Sequence, residues 1–311
     1  MLNSKVYGQK NLSKRWLDKI RFRISRVLSH FLLYHRFRYS LYFRKKLCRW
    51  LVPTPDKPTV CSHFGNIELL VDPVKGRGLE EHIYYFGIYE AGTISVLRRF
   101  LNEGDLFFDV GANIGSISCV ASHFVGENGH VYAFEPHPET YKILEHNIFI
   151  NKQKNVSALN VALGAEISTA WIYDKPNIGR GAASLIRPEN ASEKSRRQVY
   201  VTTIDTLIET KQLPVPAVIK IDVEGFELQV LRGAEKLLRS AQAPMLCVEY
   251  NTLLPQRGGD TREIYTFIKS VNNYSCYKLT RGKEVPSELV RISGEEQLPR
   301  HDNIFCFLEV E

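Results

Sequence analysis

No run of about 18 apolar residues occurs in this chain, so a helix that crosses a membrane is not expected. The first residues are polar, with no apolar stretch ahead of a small-residue cleavage site, which argues against a secretion signal. A cytoplasmic protein is the resulting expectation. Cysteine pairs are also missing. Cys48, Cys61, Cys119, Cys247, Cys276 and Cys306 never form Cys-x-x-Cys, and several lie inside apolar runs. They read as reduced core thiols rather than as a metal site or a disulfide framework. Internal repeats and low-complexity tracts are absent. With 311 residues, 44% of them apolar, the chain can hold one large α/β domain plus an extension.

Negative charge is scarce at one end only. Residues 1–50 carry 14 lysines and arginines against one acid, Asp18, while the remainder carries 27 basic residues against 33 acids. The net charge of +7 therefore belongs to the N-terminal segment, and the body is mildly acidic. This argues against an enzyme whose whole cleft binds nucleic acid.

The Gly-x-Gly-x-x-Gly of dinucleotide enzymes is missing as well. In its place stands Phe107-Phe108-Asp109-Val110-Gly111-Ala112-Asn113-Ile114-Gly115, followed by Val131-Tyr132-Ala133-Phe134-Glu135-Pro136. An apolar strand enters a glycine turn that opens a helix, and a second strand ends on an acid 20 residues past Gly115. That is the βαβ spacing in which an acid accepts hydrogen bonds from ribose hydroxyls. Asp109 would repel a pyrophosphate but suits a cation. S-adenosylmethionine, with its sulfonium and amino group, is the expected cofactor. Its methionine amino group is expected at Asp109, its ribose at Glu135, its carboxylate near Asn113, and its adenine edge by Val161-Ala162. Gly111 and Gly115 are expected to let the cofactor approach the backbone, and Glu90, next to Tyr89, to reach the amino group from a covering segment.

Residues 10–50 read as a basic amphipathic helix, with Leu12, Trp16, Ile20, Ile24, Val27 and Phe31 at three- or four-residue spacing. Such a helix can pack on the domain or on a second subunit, or lie on an anionic membrane surface. Pro53, Pro55 and Pro58 mark a boundary, which gives an extension over residues 1–58 and a catalytic domain over 59–311. A hairpin is expected around Gly65-Asn66 and a helix over 92–101. Strands are expected at 106–110, 130–134, 156–160, 169–173, 198–204, 217–221, 244–249, 275–279 and 303–309. Helices are expected at 114–124, 138–150, 226–239 and 261–271. The alternation predicts a mostly parallel sheet with helices on both faces and an antiparallel pair at its edge.

These residues carry a family resemblance. Tyr89-Glu90, Gly104-Asp105, Asp109 to Gly115, Tyr132 to Pro136, Asn147, Asn151 and Ala162 belong to it, as do Ile219-Lys220-Ile221-Asp222-Val223-Glu224-Gly225-Phe226-Glu227, Leu231-Arg232-Gly233-Ala234 and Val248-Glu249. Over roughly residues 85–250 the chain resembles the FkbM family of S-adenosylmethionine-dependent methyltransferases. The resemblance implies the class I methyltransferase fold, Rossmann-like, with a seven-stranded sheet whose last strand is reversed. It also implies methylation of a hydroxyl oxygen, on acceptors such as sugars or polyketides.

Lys220, Asp222 and Glu224 fall at the carboxyl end of the fourth parallel strand, where ligands bind in open α/β sheets. Two roles are open to them, a structural ion-pair network or contact with cofactor and acceptor. Because a hydroxyl is a poor nucleophile, a base or metal should assist. Asp222, Glu224 and Glu249 are the candidate acids, and His63, His82, His123, His137 and His146 the candidate histidines. Asp222, Glu249 and Asn251 loosely resemble the magnesium site of catechol-type enzymes, but no metal is assigned. Residues 179–185 have the composition of an acceptor loop, in which Arg180 or Arg187 could meet an acidic or sugar substrate. A glycan or small-molecule acceptor is therefore expected. N-, protein or RNA methylation and a non-catalytic scaffold are the alternatives.

Overall fold

Period-two burial organises the sheet. The computed structural model describes residues 20–29, 31–32, 40–174, 183–187, 196–253 and 260–309. Strands β3 (Leu106–Val110), β4 (His130–Phe134), β5 (Val156–Leu159), β9 (Val218–Ile221) and β10 (Met245–Asn251) lie parallel in the order β10-β9-β3-β4-β5. Phe107, Val131 and Val218 point into one core, with Ile94, Ile117 and Leu144. Phe108, Ile219 and Leu246 point into a second, with Leu231, Ile264 and Ile268. Both faces are covered, which is why these strands read as unbroken apolar runs. Helices α4 (Ala91–Phe100), α5 (Ser116–Val125) and α6 (Pro138–Ile150) supply the first core. Helices α8 (Glu227–Arg232), α9 (Glu235–Arg239) and α10 (Arg262–Val271) supply the second.

Strand β13 (His301–Leu308) inserts antiparallel between β10 and β11 (Tyr274–Leu279), with Leu246 opposite Cys306 and Cys276 opposite Cys306 on the other side. Short β12 (Leu289–Arg291) pairs with β11 and makes eight strands, one more than expected. The expected strands at 169–173 and 198–204 do not join this sheet. As β7 (Ser168–Tyr173) and β8 (Arg196–Thr202) they form a separate three-stranded sheet with β6 (Ala162–Leu163).

The expected helix at 226–239 is two helices. At Gly233 between them, a Cβ would sit 1.9 Å from the Gly164 carbonyl oxygen, so the chains touch backbone to backbone. The hairpin β1 (Thr59–His63) and β2 (Ile67–Val71) turns where expected, with Gly65 at φ +69°. Helix α7 (Ile204–Glu209) starts on Thr203, whose hydroxyl oxygen accepts from the Thr206 amide. All six cysteines are free and buried.

The N-terminal reading needs correction. Residues 20–29, helix α1, and α2 (Ser40–Leu51) are helical, while Leu12 and Trp16 lie outside the described residues. The fully buried positions of α1 are Ser25 and Ser29, not Ile24 and Val27 of the apolar stripe. Ser29 Oγ donates to the Phe86 carbonyl at 2.9 Å and accepts from Arg44 Nε at 2.9 Å. The partner is α3 (Leu79–Phe86), an aromatic helix that was not anticipated. Two hydroxyls thus turn the helix over, leaving Ile24 47% and Val27 70% exposed.

Candidate active site

At the carboxyl ends of β3, β4, β9 and β10 lies a cavity of 470 Å³. Asp109, near the end of β3, is 1% exposed. Its Oδ2 accepts from Ser118 Oγ on α5 at 2.5 Å, and its Oδ1 has no hydrogen-bond partner among the described residues. Burial pushes its carboxyl above the ordinary aspartate range despite Lys220 nearby. A buried acid with one uncommitted oxygen is suited to receive a cation. Asn113 Oδ1 is buried and unpartnered in the same way.

The turn itself is held by backbone. Gly111 has φ +83°, and a Cβ there would lie 1.9 Å from the Asp222 carbonyl oxygen. The amides of Gly111 and Ala112 both donate to the Phe134 carbonyl at 3.0 Å, which ties the turn to β4. Gly115, expected at the cofactor, is not among the residues that line the cavity. It starts α5 at φ +85° with Leu144 in the space of its missing side chain. Glu135 accepts from the His137 amide at 2.8 Å and the Asn113 amide at 2.9 Å, one on each oxygen. Burial raises its carboxyl to about 7, and the two amides pull the other way. Ala162 and Val161 line the same wall beyond it.

The opposite wall is a charged network. Glu90, fully buried at φ +50°, accepts from Asn303 Nδ2 at 3.1 Å and lies 3.3 Å from Lys283 Nζ. Lys283 Nζ also donates to Glu249 Oε1 at 2.8 Å, and His301 Nε2 lies 3.3 Å from that oxygen. Lys220 Nζ pairs with Asp222 at 3.0 Å. Burial alone would lower both lysines. For Lys220 the charges of Asp222, Glu90 and Asp109 outweigh it, and for Lys283 those of Glu90, Tyr89 and Glu249 do, so both are held above their ordinary value. Of the two roles weighed for Lys220 and Asp222, the ion pair is present, and both residues line the cavity. Glu224 also lines it, at φ +55°, and its carbonyl accepts from Ser184 Oγ at 2.8 Å. The turn after β9 is clamped by Glu227, whose Oε1 accepts from the Val223 and Gly225 amides.

Of the expected histidines, none lines the cavity. His63 is fully buried, and burial lowers its imidazole to about 4. His137 caps α6 and meets Asp174 at 2.9 Å. His82 packs edge-on against Phe86 and Tyr89. Ala183, Ser184 and Leu185 of the expected acceptor loop line the cavity, Arg187 does not, and Arg180 lies outside the described residues. Lys283, His301 and Asn303 come from a tail in which no pattern marked them. The insertion of β13 beside β10, which sets His301 opposite Asn251, brings His301 and Asn303 here, and the turn after β11 brings Lys283, whose amide donates to Asp302 of β13. Asn251 Oδ1 accepts from the Leu253 amide and Glu249 Oε1 holds Lys283, while Glu249 Oε2 has no hydrogen-bond partner among the described residues.

A βαβ turn with an acid near the end of its first strand, an acid just past the end of its second, and a reversed strand inserted between β10 and β11 define a class I methyltransferase. The chain matches the model of the methyltransferase FkbM domain over residues 109–276, more than half its length, and belongs to that family. The methyl donor of the family is S-adenosylmethionine, and the uncommitted oxygen of Asp109 and the paired amides at Glu135 fit its cationic and ribose ends. The chain is 30% identical over 151 residues to a hexuronic acid methyltransferase, AglP, of Haloferax volcanii, covering 49% of this chain and 59% of that protein's length. A solved S-adenosylmethionine-dependent methyltransferase of Aquifex aeolicus aligns at 16% identity, TM-score 0.37, over 70% of this chain and 89% of its own. An O-methyltransferase of Thermotoga maritima aligns at 14% identity, TM-score 0.37, over 71% and 66%. At these scores the structural likenesses carry no weight of their own.

Proposed function

We propose that the protein transfers the methyl group of S-adenosylmethionine to a hydroxyl oxygen of a sugar, with a hexuronic acid as the first acceptor class. The observation that carries this reading is the asymmetry of the cavity. One end offers the uncommitted Asp109 oxygen, Asn113 and Glu135. The other offers a charged wall of Asp222, Glu249, Lys283 and His301, in which one oxygen each of Asp222 and Glu249 is ion-paired with a lysine. The bound cofactor supplies an electrophilic methyl on a good leaving group. Asp109 and Glu135 hold and orient it, Asp222 and Glu224 border the acceptor space, and the apolar cover of Ile172, Leu185 and Phe226 excludes water. The uronic acid named for the Haloferax volcanii relative supports a sugar acceptor.

The test is calorimetric titration with S-adenosylhomocysteine, followed by methyl transfer from labelled S-adenosylmethionine to methyl β-D-glucuronide. Micromolar binding, lost in Glu135→Ala at unchanged melting temperature, is expected together with label in an ether-linked product. Label in protein or RNA instead would sink the sugar reading.

The extension over residues 1–58 belongs to the same proposal as a contact with an anionic membrane surface. Two observations support it. Ile24 and Val27 on α1 and Trp50 on α2 (79% exposed) point away from the body, and basic residues dominate this segment. No helix among the described residues is long and apolar enough to cross a membrane.

A further inference from the structure

Deprotonation of the acceptor is the step for which the sequence offered no single candidate. One histidine lines the cavity among the described residues, His301. It stands at the first position of β13, its side chain 47% exposed, with Nε2 3.3 Å from Glu249 Oε1. Glu249 is buried, and Lys283 Nζ on the same oxygen adds a second positive neighbour. A carboxylate between a histidine and a lysine stays ionised, so the Nε2–H donates to it and Nδ1 is left as the acceptor nitrogen. From these contacts we infer that His301, oriented by Glu249, is the general base that takes the proton of the acceptor hydroxyl. This inference rests on the hydroxyl methylation proposed above.

The two lysines at that end do not serve. Lys220 and Lys283 are each ion-paired and kept protonated by the acids around them. Asp222 Oδ2 is ion-paired with Lys220, and Glu249 Oε1 with Lys283 and His301. His301 alone combines a free acceptor nitrogen with access both to the cavity and to solvent. The step balances as follows. The acceptor O–H bond breaks and its proton goes to His301 Nδ1. The oxygen lone pair forms the new O–CH₃ bond while the C–S bond breaks, and sulfur keeps that electron pair in neutral S-adenosylhomocysteine. The resulting imidazolium is balanced by Glu249 and loses its proton to water through its exposed edge.

The groups facing His301 fix the pH behaviour. The hydrogen bond to Glu249 raises the imidazole, partial burial and Lys283 lower it, and Asp222 raises it again, with the net shift upward. The neutral base is therefore populated only above the ordinary histidine range. With methyl β-D-glucuronide as acceptor, kcat is expected to climb with pH through an inflection above the ordinary histidine value.

The deciding experiment compares wild type, His301→Gln, His301→Ala and Glu249→Gln in that assay, with S-adenosylhomocysteine affinity and melting temperature as controls. His301→Gln is expected to lose about a hundredfold or more in kcat, to flatten the pH profile and to bind S-adenosylhomocysteine within twofold of wild type. Added imidazole should restore part of the rate to His301→Ala, and Glu249→Gln should move the inflection to lower pH. A folded His301→Gln enzyme with an unchanged rate and profile overturns the base. A wild type that binds S-adenosylhomocysteine yet methylates no uronate hydroxyl overturns the acceptor reading and this inference with it. A wild type that transfers while both His301 variants do so equally well overturns the inference alone.

Discussion

Asp109 and Glu135 are adjacent acids with opposite accounts to settle. Asp109 keeps one buried oxygen without a partner, an arrangement that costs stability in the absence of a cation. Asp109→Asn is therefore expected to raise the melting temperature of the ligand-free protein while weakening S-adenosylhomocysteine binding at least tenfold. Thermal melts and calorimetry on one preparation read both effects, and a variant that loses stability would contradict the argument. Glu135 must be ionised to accept two ribose hydroxyls, and burial places its carboxyl at about 7. The direction is fixed, because the protonated form dominates below that value and binds poorly. Affinity for S-adenosylhomocysteine should fall about tenfold from pH 8 to pH 6, and Glu135→Gln should bind weakly with that dependence removed.

At the scale of elements, Lys283 joins the segment before α4 to β10 through Glu90 and Glu249. Lys283→Met keeps the bulk and deletes the charge, which leaves two buried acids facing each other. A loss of about 3–5 kcal/mol is expected in urea unfolding, far more than for an exposed pair such as Arg239–Glu235. The same element shows where sequence reading stopped. The β3–turn–α5–β4 unit was legible because its strands are apolar, its turn needs Gly111, and its acid falls at a fixed spacing. The β9 end was legible because Lys220 and Asp222 are conspicuous in a buried strand. Lys283 and His301 were not, since a lone lysine and a lone histidine in a polar tail look like surface residues until strand pairing places them. Nor was the face of α1, where Ser25 and Ser29 bury themselves by bonding to the carbonyls of Tyr85 and Phe86 while Ile24 and Val27 stay outside. Apolar periodicity takes the greasy stripe for the buried one, and here side-chain hydroxyls reversed it.

For the whole molecule, the uneven charge and the outward stripe act together. Co-sedimentation is expected with vesicles containing phosphatidylglycerol and not with phosphatidylcholine alone, and it should weaken as salt rises. Val27→Ser with Trp50→Ser should reduce it several-fold without changing S-adenosylhomocysteine binding. Deleting residues 1–58 is a poorer test, because α1 and α2 are bonded to α3 and their removal would uncover its aromatic face. Equal partitioning onto neutral and anionic vesicles would argue for a protein surface instead.

The strand that carries His301 has a consequence for the order of assembly. A growing chain emerges with β3, β4, β9 and β10 first, and with them Asp109, Glu135 and Asp222. Strand β13 follows β10 and β11 in the chain and lies between them in the sheet. Until it is in place, Glu90 lacks Asn303 and Glu249 lacks His301. The ribosome thus delivers the strands of the proposed donor site well before it delivers the strand that carries the proposed base.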